Sequence, residues 1–391
     1  MKKLIAISSA LTTISMMVAP AMAFATTIST GLSQDTSGGA IPIVKAKWEA
    51  NASSVAGGTP YASALEYYRD DAVAAGAQFN PSGQYQVNKK IALCSVVTDP
   101  DGLADITTAP GAVYGDVFYP MTVGANPLPI ELGDSHVALP GQSGLGCGKL
   151  MQEDKLTKLS KADGIQLFCN NVRTNNNNLP VFNTSPTTYT YDEICAADGE
   201  LQKETAAVYC STKDLSYEDP SGDYAVWAVA QDKVGLQGKL INKFTYLPLT
   251  AFETDFTSVN YGNVRLATHK IISGDLTWDT ATNPTNPASV RNVGNTRLSM
   301  KVMQDDMGFG QTDGIYNVKY DARVGSEASF ASYWPNVTAI LNNSLDLSEL
   351  DEMDFSIDVS KFPPTHTGSY TGTMTLSAAS TAHLTCPANS T

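Results

Sequence analysis

No two cysteines stand three positions apart in this chain, and only four histidines occur in it: His136, His269, His366 and His383. The first absence removes zinc ribbons, thioredoxin-type redox pairs and covalent haem attachment, all of which need closely spaced thiols. The second leaves a metal enzyme short of ligands, because His383 precedes Cys386 by three residues but no further Cys or His pair completes a set of four. The nucleophile elbow G-x-S-x-G is missing too, since Gly141-Gln-Ser143-Gly is followed by Leu145. Paired carboxylates are too plentiful in an acidic chain to point to a glycosidase by themselves. The chain reads as non-enzymatic, with no catalytic residue and no organic cofactor.

Positive charge is also scarce. Lys and Arg number 25 against 39 Asp and Glu, a net charge of -14, which argues against nucleic acid and anionic membrane surfaces, where attraction of Lys and Arg to phosphate dominates. Cations, neutral glycans and other proteins are the partners left. Long apolar runs are confined to the start: Lys2 and Lys3, an apolar stretch from Leu4 to Val18, then Ala21-Met22-Ala23 and Ala23-Phe24-Ala25. This is the pattern of a signal peptide over residues 1–25, cleaved after Ala23 or Ala25. No later segment approaches the roughly 20 apolar residues of a membrane span. The expectation is a protein with no membrane span in its mature chain, secreted or held at the extracellular cell surface.

Six cysteines in an exported chain are disulfide candidates. Cys147, Cys169, Cys195 and Cys210 fall in one region and permit three internal pairings, Cys94 sits on a strand-like stretch, and Cys386 lies near the end. Cys94 is left as a free buried thiol or as a partner of Cys210 or Cys386. The stretch around it, Lys89 to Asp105, is an apolar β-branched run closed by an acidic turn, and Gly222 to Gly235 repeats the design. In the second, Tyr224, Val226, Ala228 and Ala230 alternate with Ala225, Trp227 and Val229, so both faces are apolar, the strand is central and Trp227 is core. Ile41 to Trp48, Ala112 to Tyr119 and Lys239 to Phe252 read as further strands, the first an edge or entry strand because of Pro42.

From about 140 to 215 helix signals replace the period of two. Ser160-Lys-Ala-Asp163 resembles a capping box ahead of Ile165, Phe168, Cys169 and Val172, and Thr190-Tyr-Asp-Glu193 ahead of Ile194, Ala197, Leu201 and Val208. Thr59-Pro60 through Gly76 suggests another helix or a solvated loop. Beyond residue 250 the alternation is cleaner: Leu298, Met300 and Val302; Tyr316 to Val324; Phe355, Ile357 and Val359; Tyr370, Met374, Leu376 and Ala378. Short strands with one polar face, separated by Gly, Pro and Asn turns, point to antiparallel sandwiches.

Val96-Val-Thr-Asp99-Pro-Asp101-Gly102, answered by Tyr224-Ala-Val-Trp-Ala-Val-Ala-Gln-Asp232-Lys-Val-Gly235, resembles the strand-B turn and strand-F ending of immunoglobulin-like modules on prokaryotic surface proteins. Arg291-Asn-Val-Gly-Asn295 and Gly368-Ser-Tyr-Thr-Gly-Thr-Met-Thr-Leu376 are similar to recurring elements of Ig-like domains in bacterial and archaeal cell-surface and surface-layer proteins. The resemblance covers roughly half the chain in short pieces. It implies a mainly β fold of two Ig-like sandwiches, residues 26–250 and 251–391. The first carries a disulfide-stapled helical insertion at about 140–215, which departs from the ordinary module.

Asp99, Asp101 and Asp105 around Gly102 partly match a calcium loop, calcium being the one cofactor the chain suggests, although Val97 stands where a first carboxylate is needed and no closing Glu follows. A plain Asx turn accounts for the same residues. Asp305, Asp306 and the run Asp346 to Asp358 read as solvated faces. Sequons occur at Asn51, Asn183, Asn336, Asn342 and Asn389. Trp334, Tyr61, Tyr67 and Tyr68 are candidate sugar platforms or loop anchors. The expected function is an exported structural protein of the cell surface or extracellular space, self-assembling into a layer or filament. The alternative is an adhesin or a glycan- or protein-binding module that uses the helical insertion; a secreted hydrolase comes third.

Overall fold

Apolar residues in alternation, and two long runs that are apolar on both faces, set most of the strands. The computed structural model describes residues 39–52, 77–120, 150–175, 179–280, 287–310, 317–363 and 368–381. The leader, the helix signal after Thr59, Tyr61, Tyr67, Tyr68, the Gly141–Leu145 stretch, His136, His366, His383, Cys147, Cys386, Tyr316 and Asn389 lie outside the described residues.

In chain order the first elements are β1 (Ile43–Asn51), β2 (Gln78–Phe79), β3 (Lys89–Thr98), α1 (Ala104–Thr107), β4 (Ala112–Phe118), β5 (Leu150–Lys155) and β6 (Thr157–Lys158). Then come α2 (Lys161–Gly164), a π-helical stretch (Ile165–Val172), α3 (Arg173–Asn175), β7 (Val181–Phe182), α4 (Tyr191–Cys195) and α5 (Glu200–Lys203). β8 (Ala206–Leu215), β9 (Gly222–Gln231) and β10 (Gln237–Tyr246) complete this part. One sheet has the order β6-β8-β3-β1-β7, the other β2-β10-β9-β4-β5. Both share one apolar core running from Val44 to Tyr246.

β3 is buried from Ile91 to Thr98 because both its faces are covered. Leu93 faces the second sheet beside Gly115, while Cys94 shares a face with Trp48, and Trp48 packs on Phe168 of the π stretch at 5.1 Å. The helices thus form a third layer outside the first sheet. β9 is the central strand of the other sheet, so it is no ladder neighbour of β3, whose partners are β1 and β8 and which meets β4 across the core where Leu93 lies against Gly115.

The described part of the region 140–215, from residue 150 on, is less helical than its sequence suggests. Ser160 and Thr190 do cap α2 and α4, accepting from the amides of Asp163 and Glu193. However, α4 ends at Cys195 and α5 stops at Glu204, whose φ of 57° is left-handed. Val208 therefore lies on β8, and the heptad-like step from Leu201 to Val208 spans a chain reversal. The cysteines follow the strands: Cys94 and Cys210 are opposite one another on β3 and β8, with Cα atoms 4.2 Å apart, and are disulfide-bonded. Among the described residues, Cys169–Cys195 is the bond that staples the helical segments to each other. Cys210 belongs to the sheet, not to the insertion. β1 is an inner strand rather than an edge, and Pro42 precedes its ladder. Trp227 is not core either. It is half-buried on the outer face of its sheet, 5.0 Å from Phe118 and beneath the ammonium of Lys239.

A second core begins after Leu247. Its strands are β11 (Phe252–Thr254), β12 (His269–Ile272), β13 (Ser289–Asn292), β14 (Leu298–Gln304), β15 (Val318–Val324), β16 (Ala331–Tyr333), β17 (Ala339–Leu345), β18 (Leu350–Val359) and β19 (Met374–Ser380). One sheet runs β11-β13-β18-β15-β16 with β12 also on β18; the other is β17-β14-β19. The alternating sets on β14, β15 and β18 are buried between them, with Met374, Leu376 and Ala378 of β19 packed alongside. The acidic run on β18 is not a solvated face: Asp354 is buried, paired with Arg323 and accepting from the Gly274 amide at 2.8 Å.

The Arg291–Asn295 motif joins the two cores. Asn295 accepts from the Leu249 amide at 2.7 Å, donates to the Leu247 carbonyl at 2.9 Å, and its own carbonyl accepts from Ser221. Arg291 lies between the rings of Tyr85, 3.9 Å away, and Trp278, 3.7 Å away, and pairs with Glu253. At Gly294 an added methyl carbon would stand 2.2 Å from the Leu249 carbonyl oxygen, so only glycine fits. Gly294→Ala is expected to cost about 1–3 kcal/mol, the range for overpacking, measured as a fall in the denaturation midpoint; an unchanged midpoint would show that the joint has slack.

Candidate functional site

The second sandwich is open between β19 and the segment that follows β11. Two cavities of about 490 and 630 Å³ lie there and share Val259, Asn260, Met307, Ser369 and Tyr370, forming one cleft. Its floor is apolar because the sandwich interior continues into it: Phe256, Ile357 and Val359 belong to the core, and Met374 and Leu376 face it from β19. At one end three rings converge, Tyr370 stacked on Phe309 at 4.5 Å with Phe362 5.9 Å from Tyr370.

The loop that carries Phe309 is held by the two aspartates expected on a solvated face. Asp305 accepts from the amides of Met307 and Thr373, and Asp306 from those of Gly308 and Gly310 at 3.0 Å. Met307, Gly308 and Gly310 all have positive φ, which the carboxylate–amide bonds stabilise. Asn317 donates to the carbonyls of Phe309 and Gly310, fixing the ring's approach. Deeper in, the Tyr261 hydroxyl donates to Gln304 at 3.2 Å. Burial, foremost, and the neighbouring Tyr333 and Tyr320 hold its pKa well above the ordinary phenol range, so it remains a neutral donor. Among the described lining residues there is no carboxylate, amine, guanidinium or imidazole. Asn, Gln, Ser, Thr and Tyr supply all the polar side-chain contacts.

The acidic turn singled out in the sequence lies elsewhere, at one end of the first sandwich. Asp99 is buried, and its Oδ1 accepts from the Asp101 amide at 2.8 Å. Burial raises its pKa, and the charges of Asp101, Asp105 and Asp232 add to the shift. The turn has a twin: Asp232 accepts from the amides of Val234 and Leu236, and Gly235, like Gly102, has positive φ. Lys233 binds Asp105 at 2.9 Å, bringing an ammonium to the group. Among the described residues no group of three or more His, Cys, Asp or Glu is disposed to hold a metal ion.

The other sequence candidates scatter. The Asn183 side chain is engaged, donating to Val44 and accepting from Ser185, and Asn342 donates to Ser329. Asn336 is exposed in a turn with φ of 62°, and Asn51 ends β1. Trp334 is 38% exposed, 5.7 Å from Lys319, and does not line the cleft. Sequence reading missed the cleft because loops build it. Its available signals were Phe309 between two glycines and Tyr370 in Gly-Ser-Tyr-Thr-Gly, which the sequence puts into an alternating strand but which lies ahead of β19 in a loop.

No protein-family model matches the chain, and no curated protein matches it. Among solved structures it is similar to the C-terminal domain of the Streptococcus pyogenes antigen I/II-family protein AspA, at 10% identity and TM-score 0.21 over 88% of this chain and 98% of that one. A chaperone-tip adhesin complex of CFA/I fimbriae aligns at 8% identity and TM-score 0.22, covering 86% and 84%. The secreted serine protease VesC from Vibrio cholerae aligns at 8% and 0.17 over 79% of this chain, which spans 50% of VesC. Scores this low carry no argument about function.

Proposed function

We propose that this is an exported, non-enzymatic surface protein of two Ig-like sandwiches that acts by binding, and that the cleft beside Tyr370 takes a neutral, extended polyhydroxyl ligand, a glycan segment. The observation behind this reading is the lining of the cleft: among the described residues it offers uncharged hydrogen-bonding side chains beside stacked rings, and no carboxylate or imidazole. Apolar sugar faces stack on aromatic rings, and amides and hydroxyls exchange hydrogen bonds with sugar hydroxyls without having to desolvate a charge. The export half of the reading is supported by the leader-like N-terminus and by the two disulfides among the described residues. No helix among the described residues is long and apolar enough to cross a membrane.

The test is a glycan array with the full mature chain, followed by calorimetry on the best neutral hit. Tyr370→Ala is expected to weaken binding about tenfold to thirtyfold, as loss of an aromatic contact worth about 1.4–2 kcal/mol does, while Trp334→Ala leaves it unchanged. Binding restricted to acidic glycans, or equal binding by Tyr370→Ala, would sink the proposal. A second reading, a structural protein that assembles through sheet edges, rests on a different feature of the same sandwich.

A further inference from the structure

Edge strands are liabilities that proteins blunt by shortness, charge, proline or bulges. Among the described residues, β2, β6 and β7 have two residues each, β11 and β16 three, and β5 carries Glu153, Asp154 and Lys155. β12 has four residues, His269 and Lys270 among them. β17 has seven, but its pairing with β14 is interrupted between Ser299 and Lys301, and Asn342 ties it to Ser329. β19 has neither shortness, charge, proline nor a bulge, and among the described residues its side-chain tie is at its last position, where the Ser380 hydroxyl meets Thr250 at 2.6 Å. Its seven residues, Met-Thr-Leu-Ser-Ala-Ala-Ser, pair with β14 in unbroken register, and no described strand covers the other side. From Gly368 to Thr381 there is no charged residue and no proline.

We infer that β19 is a self-association edge, pairing antiparallel with β19 of a second copy about a twofold axis at Ser377. Two arguments select a second copy of this chain. With a net charge of -14 two copies repel, and β19 is a long edge along which they meet without opposing carboxylates. The strand is also self-complementary: centring on Ser377 puts Leu376 opposite Ala378 of the copy on the core-facing side, large against small, and Thr375 opposite Ala379 on the outer side. The two three-stranded sheets then become one of six, and backbone hydrogen bonds supply the contact. This goes beyond glycan binding and does not depend on it.

Sedimentation of the full mature chain tests the pairing. Wild type is expected to show a monomer–dimer equilibrium. Ser377→Lys, which opposes two ammonium groups across the axis on an exposed position, is expected to raise the dimer dissociation constant at least tenfold with an unchanged melting temperature. Ser377→Cys is expected to form a disulfide-linked dimer on oxidation. A wild type that stays monomeric at high concentration overturns the inference. So does an assembly that Ser377→Lys leaves intact, or a Ser377→Cys protein that fails to cross-link.

Discussion

Replacing Cys94 and Cys210 together by alanine is expected to lower the free energy of unfolding by about 4–5 kcal/mol. The bond closes a loop of 116 residues, and in the loop-entropy model a loop of that size restricts the unfolded chain by about that amount. The Cys169–Cys195 bond, separated by 26 residues, comes out nearer 3.5 kcal/mol on the same relation. The two should also differ in kind. Cys94 and Cys210 are buried beneath the helical layer, so their loss loosens the sheet on which Phe168 and Trp48 pack. Cys169 and Cys195 are partly buried, and their loss frees the helices from one another. Equilibrium denaturation of the two double-alanine variants measures both; equal losses below about 1 kcal/mol would mean that the sheet registers hold without the covalent bonds.

The second large effect is expected inside the first sandwich. Lys47 and Glu49, 2% and 1% exposed, form a buried ion pair on β1, and Asn242 of β10 bonds to both, donating to Glu49 at 2.7 Å. Glu49→Gln leaves the ammonium buried with no counter-charge, which is expected to cost about 3–5 kcal/mol, whereas Lys47→Met combined with Glu49→Leu is expected to be neutral or stabilising. The variant's pH dependence follows from Lys47. Burial lowers its pKa from 10.5, and Glu49 opposes that shift; removing Glu49 lowers it further. Between that depressed value and 10.5 the unfolded chain binds the proton and the folded one does not, so Glu49→Gln gains stability as pH rises through that window. Chemical denaturation at several pH values reads this directly. A single-variant midpoint equal to wild type would show that water reaches the pair.

Legibility of the fold depended on how burial was distributed. Where one face alone is buried, as on β14 and β15, the period of two gave both strand and orientation, because a shift by one residue would expose the entire apolar set. β3 and β9 were legible as strands, but their places in two different sheets were not, since a strand apolar on both faces does not say which face meets which layer. For Trp227 that ambiguity led to the wrong side of the sheet. Helix caps at Ser160 and Thr190 were readable because capping is local chemistry. The stop at Glu204 was not, being a single left-handed residue without glycine. Cysteine spacing was silent on partnership: Cys94 finds Cys210 only because the β3–β8 register places them opposite. The cleft was the least legible feature, since residues 256–264, 304–309 and 368–376 converge there without a common period.

The joint made by Asn295 has a consequence for the order of assembly. Every described strand of the first sandwich is present once the chain has been made as far as Tyr246, but the Leu247 carbonyl and the amide and carbonyl of Leu249 find their partners only when Asn295 and Thr296 arrive. During synthesis the first core can close while its exit remains free to swivel. The angle between the two cores is then set from downstream, by a loop that exists only after a further stretch of chain has emerged. Orientation is thus a late event in the life of the molecule, acquired with the second core rather than inherited from the first.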